Sequence, residues 1–140
     1  MSRQSFLLSD ELHAYVVAHS LSPDAVQQAL IDETATHPQA QMQISPDIGA
    51  LLTLLTRLVD ARNAVEVGTF TGYSSIAIAR GLAPGGRLRC FDVSEEFTSV
   101  ARRYWAEAGV ADRIELTIGP ALDGLRALPD EPVLDLAMAN

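Results

Sequence analysis

Residues 65–75 read VEVGTFTGYSS, which places an apolar run, an acid, two glycines and the start of a helix-like stretch side by side. The order predicts a buried strand that turns sharply into a helix. Gly68 and Gly72 allow the backbone to approach a ligand closely, and a helix beginning near Tyr73 offers N–H groups with no partner inside the helix. In an open parallel sheet such a turn lies beyond the carboxyl ends of the strands, where ligands bind.

Working outward, short apolar runs alternate with helical stretches, the pattern of parallel βαβ units. NAVEV, RLRCFDV, RIELTI and VLDLAMA read as four strands. Between them, YSSIAIARGLA is a helix stopped by Pro84 and Gly85, and SEEFTSVARRYWAEAG a helix capped by Ser94, with Glu95 and Glu96 in its first turn and Gly109 at its end. Phe97, Val100, Ala101, Tyr104, Trp105 and Ala108 share one face and are expected in the core. Arg102 and Arg103 fall on a solvated face. A shorter helix is expected around ALDGLRAL. Upstream, residues 10–35 read as two helical segments broken at SLSPD, with Ser22 as cap and Pro23 at the first helical position. THPQAQMQISPD is expected to be an extended connector. IGALLTLLTRLVD follows as a helix whose stripe of Ile48, Leu51, Leu52, Leu55, Leu58 and Val59 should face the sheet domain. One domain is expected, with helices and connector in residues 1–60 and four βα units in 61–140.

The spacing within the turn is E-x-G-x-x-x-G, which lacks both the G-x-G-x-x-G of dinucleotide folds and the G-K-[ST] of a phosphate loop. Glu66 is expected at the pocket mouth, where a carboxylate repels a pyrophosphate and favours an amine or a sulfonium. Asp92 ends the next strand, the place from which an acid accepts hydrogen bonds from ribose hydroxyls. A cationic nucleoside without phosphates fits both acids, and S-adenosylmethionine is such a molecule.

Composition narrows the partners. The chain has 140 residues, 48% hydrophobic and 20% charged, with a net charge of −8. All its basic residues are arginine, so lysine chemistry is excluded, and no basic stripe exists for nucleic acid. The single cysteine, Cys90, lies in LRCFDV and reads as a buried structural thiol. His13, His19 and His37 have no acid partner at ligand spacing. The apolar run at the N-terminus is too short for a signal peptide and no membrane span is present, so a soluble cytoplasmic protein is expected.

With MQISP at residues 42–46, FDVSEE at 91–96 and AGVADRIELTIGPALDGL at 108–125, the chain from about Gln39 onward resembles the caffeoyl-CoA and catechol type of class I S-adenosylmethionine-dependent O-methyltransferases. The resemblance implies a Rossmann-like methyltransferase fold, a parallel sheet with helices on both faces, and methyl transfer to a hydroxyl of a small aromatic acceptor. It also implies site roles. Met42 and Ile44 border the methionine part of the cofactor. Glu66, Gly68, Thr69, Phe70, Tyr73 and Ser74 hold its amino-acid portion. Asp92 takes the ribose with Val93 beside the adenine, and Gly119 and Ala121 line the adenine edge.

The same resemblance places Asn140 where the family has the first acid of a divalent metal site, magnesium or similar, that orients the acceptor. The remaining metal ligands have no counterpart, so no catalytic residue is assigned. The expectation is a fold truncated after its fourth strand, with VLDLAMA as a hydrophobic edge that favours a homodimer or other self-association. Two other readings stand beside methyl transfer: a non-catalytic module that binds the cofactor, and a nicotinamide-binding Rossmann domain.

Overall fold

The computed structural model describes residues 8–140. The N-terminal stretch read for a signal peptide falls mainly on residues 1–7, outside that range. Along the chain come α1 (Asp10–His19), α2 (Ala25–Thr34), a 3-10 turn (Ala40–Met42), α3 (Pro46–Leu58), β1 (Asn63–Val67), α4 (Tyr73–Gly81), β2 (Arg87–Asp92), α5 (Glu95–Glu107), a second 3-10 turn (Ala111–Arg113), β3 (Ile114–Ile118), α6 (Ala121–Arg126) and β4 (Leu136–Ala139).

The four strands form one sheet in the order β3-β2-β1-β4, and every pairing is parallel. The chain steps outward from β1 to β3 and then returns to the far side of β1. That reversal makes the carboxyl ends of β1 and β4 a switch point, the position where open sheets leave a crevice. Alternation along β2 assigns the two faces. Leu88 and Cys90 join the core with Ile76, Ala77 and Ile78 of α4, whereas Phe91 points the other way and packs under Gly124 of α6, where its ring leaves no room for a Cβ. Helices therefore cover both faces. At the β4 edge, Leu136 and Met138 pack against the core while Ala137 and Ala139 are exposed, so the outward side of that strand is less hydrophobic than the run VLDLAMA implies. The strand begins under a cap: Asp135 Oδ2 accepts from the N–H groups of Arg62 and Asn63 at 2.8 and 2.9 Å.

Several local expectations are corrected. The cap of α2 is Asp24, which accepts from Gln27 N–H while the Gln27 side chain returns a bond to Asp24 N–H; Ser22 and Pro23 lie outside the helix. The connector is not extended throughout, because Ala40–Met42 winds into a 3-10 turn. Arg103 is not simply solvated. It forms a two-pronged ion pair with Glu33 at 2.6 and 3.0 Å, and Tyr104 Oη donates to the same carboxylate at 2.7 Å, tying α5 to α2. His37 lies 3.9 Å from Glu96, a single pair and not a metal-ligand cluster.

The largest correction concerns α3. Its buried residues are Gly49, Leu52, Thr53 and Thr56, while Leu51, Leu55, Leu58 and Val59 of the expected core stripe are exposed. The reason is the closeness of α4. A Cβ on Gly49 would sit 2.6 Å from the Tyr73 ring, and one on Gly81 of α4 would sit 2.6 Å from Thr56. Thr53 Oγ1 donates to the Ala77 carbonyl across the contact at 2.9 Å. Backbones that close exclude leucine, so the small face turns inward and the leucines turn out.

On its other side, α4 meets α5 at the turn. Gly72 has φ +90°, and a Cβ there would lie 2.7 Å from Ala101 Cβ and 2.8 Å from Trp105 Nε1. Trp105 Nε1 itself donates to Ser75 Oγ at 3.1 Å. Left-handed backbone costs about 1–2 kcal/mol and overpacking about 1–3 kcal/mol, so Gly72→Ala is expected to lower stability by about 2–5 kcal/mol in urea unfolding. Gly85, with φ +78° but open space around it, serves as the control. Gly85→Ala should cost only about 1 kcal/mol.

Candidate functional site

The carboxyl ends of the strands are laced together by the chain leaving them. Gly68 N–H donates to the Phe91 carbonyl, Gly119 N–H to that of Asp92, and Asn140 N–H to that of Val67, at 2.8–2.9 Å. Gly68 has φ +85°, and a Cβ on it would sit 2.6 Å from the Asn140 carbonyl oxygen. Only glycine fits there. The next residues of the turn are pinned by Asp92, whose Oδ2 accepts from both Thr69 N–H and Phe70 N–H at 2.8 Å. Its Oδ1 accepts from Ser94 N–H at 2.8 Å. Ser94, as expected, caps α5 through Phe97 N–H.

Around this lacing lies a cavity of about 520 Å³. Of the residues expected at a site, Met42, Gly68, Phe70, Asp92, Val93, Gly119, Ala121 and Asn140 line it. A second space of only about 10 Å³ adjoins it and is bordered by Ile44, Thr69, Tyr73 and Ser74, with Met42, Phe70 and Asn140 shared between the two. Twelve of the thirteen expected positions thus border these two adjoining spaces. Tyr73 and Ile44 are at the same time core residues, each 3% exposed.

Glu66 is the exception. It is fully buried beneath the turn and lines neither space, which corrects its expected place at the pocket mouth. Burial raises its carboxyl from 4.5 to about 7, partly offset by the nearby side chains of Ser74, Cys90, Thr69 and Ser75. Cys90 Sγ donates to Oε2 at 3.4 Å, and burial together with this carboxylate pushes the thiol well above its ordinary range. Glu66 Oε1 and Thr69 Oγ1 are both buried without a hydrogen-bond partner. Thr69 and Ser74 form the wall between this carboxyl and the smaller space.

Sequence reasoning missed Val67, Phe91, Ser94 and Phe97 as lining residues. The first three flank expected positions at strand ends and could have been found from that adjacency. Phe97 was assigned to the helix core, yet it sits in the first turn of α5, directly above the sheet's carboxyl edge. There its ring meets Phe70 edge-on at 4.8 Å and His37 edge-on at 5.1 Å. Phe70 itself has φ +53°, an uncommon conformation for a residue with a side chain, held by the Asp92 bond and by this aromatic packing. Asn140 donates from Nδ2 to the Met42 carbonyl at 3.4 Å. Among the described residues, no three of histidine, cysteine, aspartate and glutamate gather where they could hold a metal ion.

The buried acid has a measurable signature. A carboxyl raised from 4.5 to about 7 on folding stabilises the fold below pH 4.5, and that contribution is lost as pH rises to 7. Stability relative to Glu66→Gln is therefore expected to fall by about 3 kcal/mol across the window and to level off above it. Urea titrations of both proteins at several pH values between 4.5 and 7.5 test this, and parallel profiles would refute it.

Comparison with known proteins places this geometry. Residues 17–139 match the family model described as O-methyltransferase. Caffeoyl-CoA O-methyltransferase 2 of Petunia hybrida is 36% identical over 96% of this chain and 53% of its own length, and caffeoyl-CoA O-methyltransferase 1 of Arabidopsis thaliana is 35% identical over 100% and 51%. The chain spans about half the length of the curated relatives it matches. Among solved structures, the O-methyltransferase from Bacillus cereus in complex with SAH is similar with a TM-score of 0.83 and 32% identity, over 93% of this chain and 60% of that one. TomG from Streptomyces achromogenes, an O-methyltransferase involved in tomaymycin synthesis and solved with SAM, gives 0.80 and 35% over 92% and 59%. With a strand-and-turn geometry that leads to the same place as these matches, the chain belongs to the O-methyltransferase family.

Proposed function

We propose that the chain binds S-adenosylmethionine at the carboxyl edge of its sheet, and that the protein transfers the cofactor's methyl group to a hydroxyl of a small aromatic acceptor in the cytoplasm. The observation that carries this reading is Asp92, a carboxylate held by three backbone N–H groups in the wall of an otherwise largely apolar cavity. Family membership removes the nicotinamide reading. For localisation, no helix among the described residues is long and apolar enough to cross a membrane.

The residues divide the cofactor between them. A carboxylate has about four acceptor sites, and Asp92 has committed three, which leaves Oδ1 one for a ribose hydroxyl. Val93, 74% exposed at the rim, with Phe97, Gly119 and Ala121, offers apolar surface to an adenine. Thr69, Tyr73 and Ser74 border the space for the amino-acid end. At about 10 Å³ it holds no more than one water, so Met42 or Phe70 must shift to admit that end. Behind that wall lies the unpartnered Glu66 Oε1, and a cation held in the smaller space would favour its ionised form. When bound, the cofactor supplies an electrophilic methyl on a sulfonium. The chain's part in that chemistry is to fix the direction of the methyl by gripping ribose and amino acid at once.

The described residues offer no ligand set for a divalent metal, and Asn140 alone does not make one. The second reading is a cofactor-binding unit without turnover.

Calorimetric titration with S-adenosylhomocysteine, the demethylated cofactor, tests the binding reading directly. Asp92→Ala is expected to weaken binding by about 1–3 kcal/mol, through the lost ribose bond to a charged group and a loosened turn. Unchanged affinity would remove the ribose from Asp92. Methyl transfer to a catechol with added magnesium then separates the two readings, since binding without turnover supports the second.

A further inference from the structure

The smaller space beside the main cavity has a polar lining that the site as described leaves partly unused. Gln43 borders it, and Gln43 Nε2 is buried with no hydrogen-bond partner among the described residues. Thr69 borders it too, and its Oγ1 is buried and unpartnered in the same way. A buried amide N–H without an acceptor destabilises the free chain, because its bond to water is lost and nothing replaces it. Asp47, four residues on, also has a buried Oδ1 without a partner. No hydrogen bond joins it to Gln43, and it borders the groove between α1 and α3 instead.

The backbone holds the Gln43 amide in place. Gln43 N–H donates to the Ala40 carbonyl at 3.2 Å and closes the 3-10 turn. On one side Asn140 Nδ2 donates to the Met42 carbonyl, and on the other Ile44 and Ser45 are buried. The same space is bordered by Gly72, Tyr73 and Ser74, where α4 starts. Gly72 is the N-cap of that helix and has no side chain to offer, so the first N–H groups of α4 lack a side-chain acceptor. A helix start of this kind carries partial positive charge and favours an anion. Gln43 Nε2 adds a donor from a different element, and the two together suit a carboxylate.

We propose that Gln43 is a specificity-determining residue of the site: its Nε2 donates to the carboxylate of the cofactor's amino-acid end, beside the uncapped start of α4. The inference rests on the reading that S-adenosylmethionine binds at this edge of the sheet. It goes further by naming the side chain that selects a ligand with an amino-acid end over one with adenosine alone. The bound carboxylate supplies the acceptor that the amide lacks in the free chain, and a bond from N–H to a charged acceptor is among the stronger ones.

Calorimetric titration of the 140-residue chain at pH 8 with two probes tests this. S-adenosylhomocysteine has the amino-acid end, whereas 5′-methylthioadenosine keeps the adenosine and the thioether and lacks it. Gln43→Met, similar in shape and without a donor, is expected to weaken S-adenosylhomocysteine by about tenfold or more and to change 5′-methylthioadenosine by no more than about twofold. Gln43→Glu should weaken S-adenosylhomocysteine further, because two carboxylates then repel. The urea midpoint of Gln43→Met should be no lower than that of the unsubstituted chain, since an unpartnered amide has no bond to lose. Equal weakening of both probes, a tighter complex with Gln43→Glu, or a destabilised Gln43→Met would each overturn the proposal. S-adenosylhomocysteine bound as tightly by Gln43→Met as by the unsubstituted chain would overturn it and leave the cofactor reading intact. An unsubstituted chain that binds neither probe would remove both.

Discussion

The Asp92 carboxylate bridges the two central strands at the end where the site lies. It accepts from Thr69 and Phe70 in the turn after β1 and from Ser94 at the start of α5. Bonds to a charged acceptor are each worth about 1.5–3 kcal/mol, more than the cost of holding Phe70 in the left-handed region. With Phe70 so held, its ring reaches Phe97 and divides the larger cavity from the smaller. One side chain thus decides the path of the turn, the direction of the aromatic wall and the polarity of the pocket. This differs from a carboxylate waiting free for a ribose: most of its acceptor capacity is already used in building the site.

Close approach of α3 and α4 is the second constraint. Gly49 against Tyr73, Gly81 against Thr56, and the Thr53 bond to the Ala77 carbonyl bring two backbones together with small residues between them. Tyr73 is held there as a core residue and as part of the wall of the smaller space, so the packing of a helix pair and the shape of the site are linked. The leucines displaced from this contact form the exposed stripe of α3. A packing requirement on one side of the helix has left an apolar stripe on the other.

Glu66 shows how a strand position can override the chemistry that its residue type suggests. On β1, at the centre of the sheet, it pairs in register with Cys90 and Met138. Burial from both neighbours leaves it with little solvation and a carboxyl near neutrality, behind the wall of the site and outside the mouth. Its influence on a ligand acts through Thr69 and Ser74 and through its own proton.

Much of this was legible in the chain. The alternation of apolar runs with helical stretches determined four parallel strands and their order of appearance, because strand and helix periodicities differ and the connections are short. The motif with Asp92 and the MQISP segment pointed to positions that border the cavity at the sheet's carboxyl edge, because glycines with positive φ and acids at strand ends leave a mark at fixed spacing. Other features were decided only by tertiary structure. Which face of α3 is buried depended on how near α4 could come, and periodicity does not encode that distance. Whether Glu66 meets solvent depended on neighbours contributed by two other strands. Phe97 became a wall of the site only when α5 was set above the sheet's carboxyl edge. Sequence determines what is locally periodic or locally strained; distance between elements far apart in the chain is settled only when they pack.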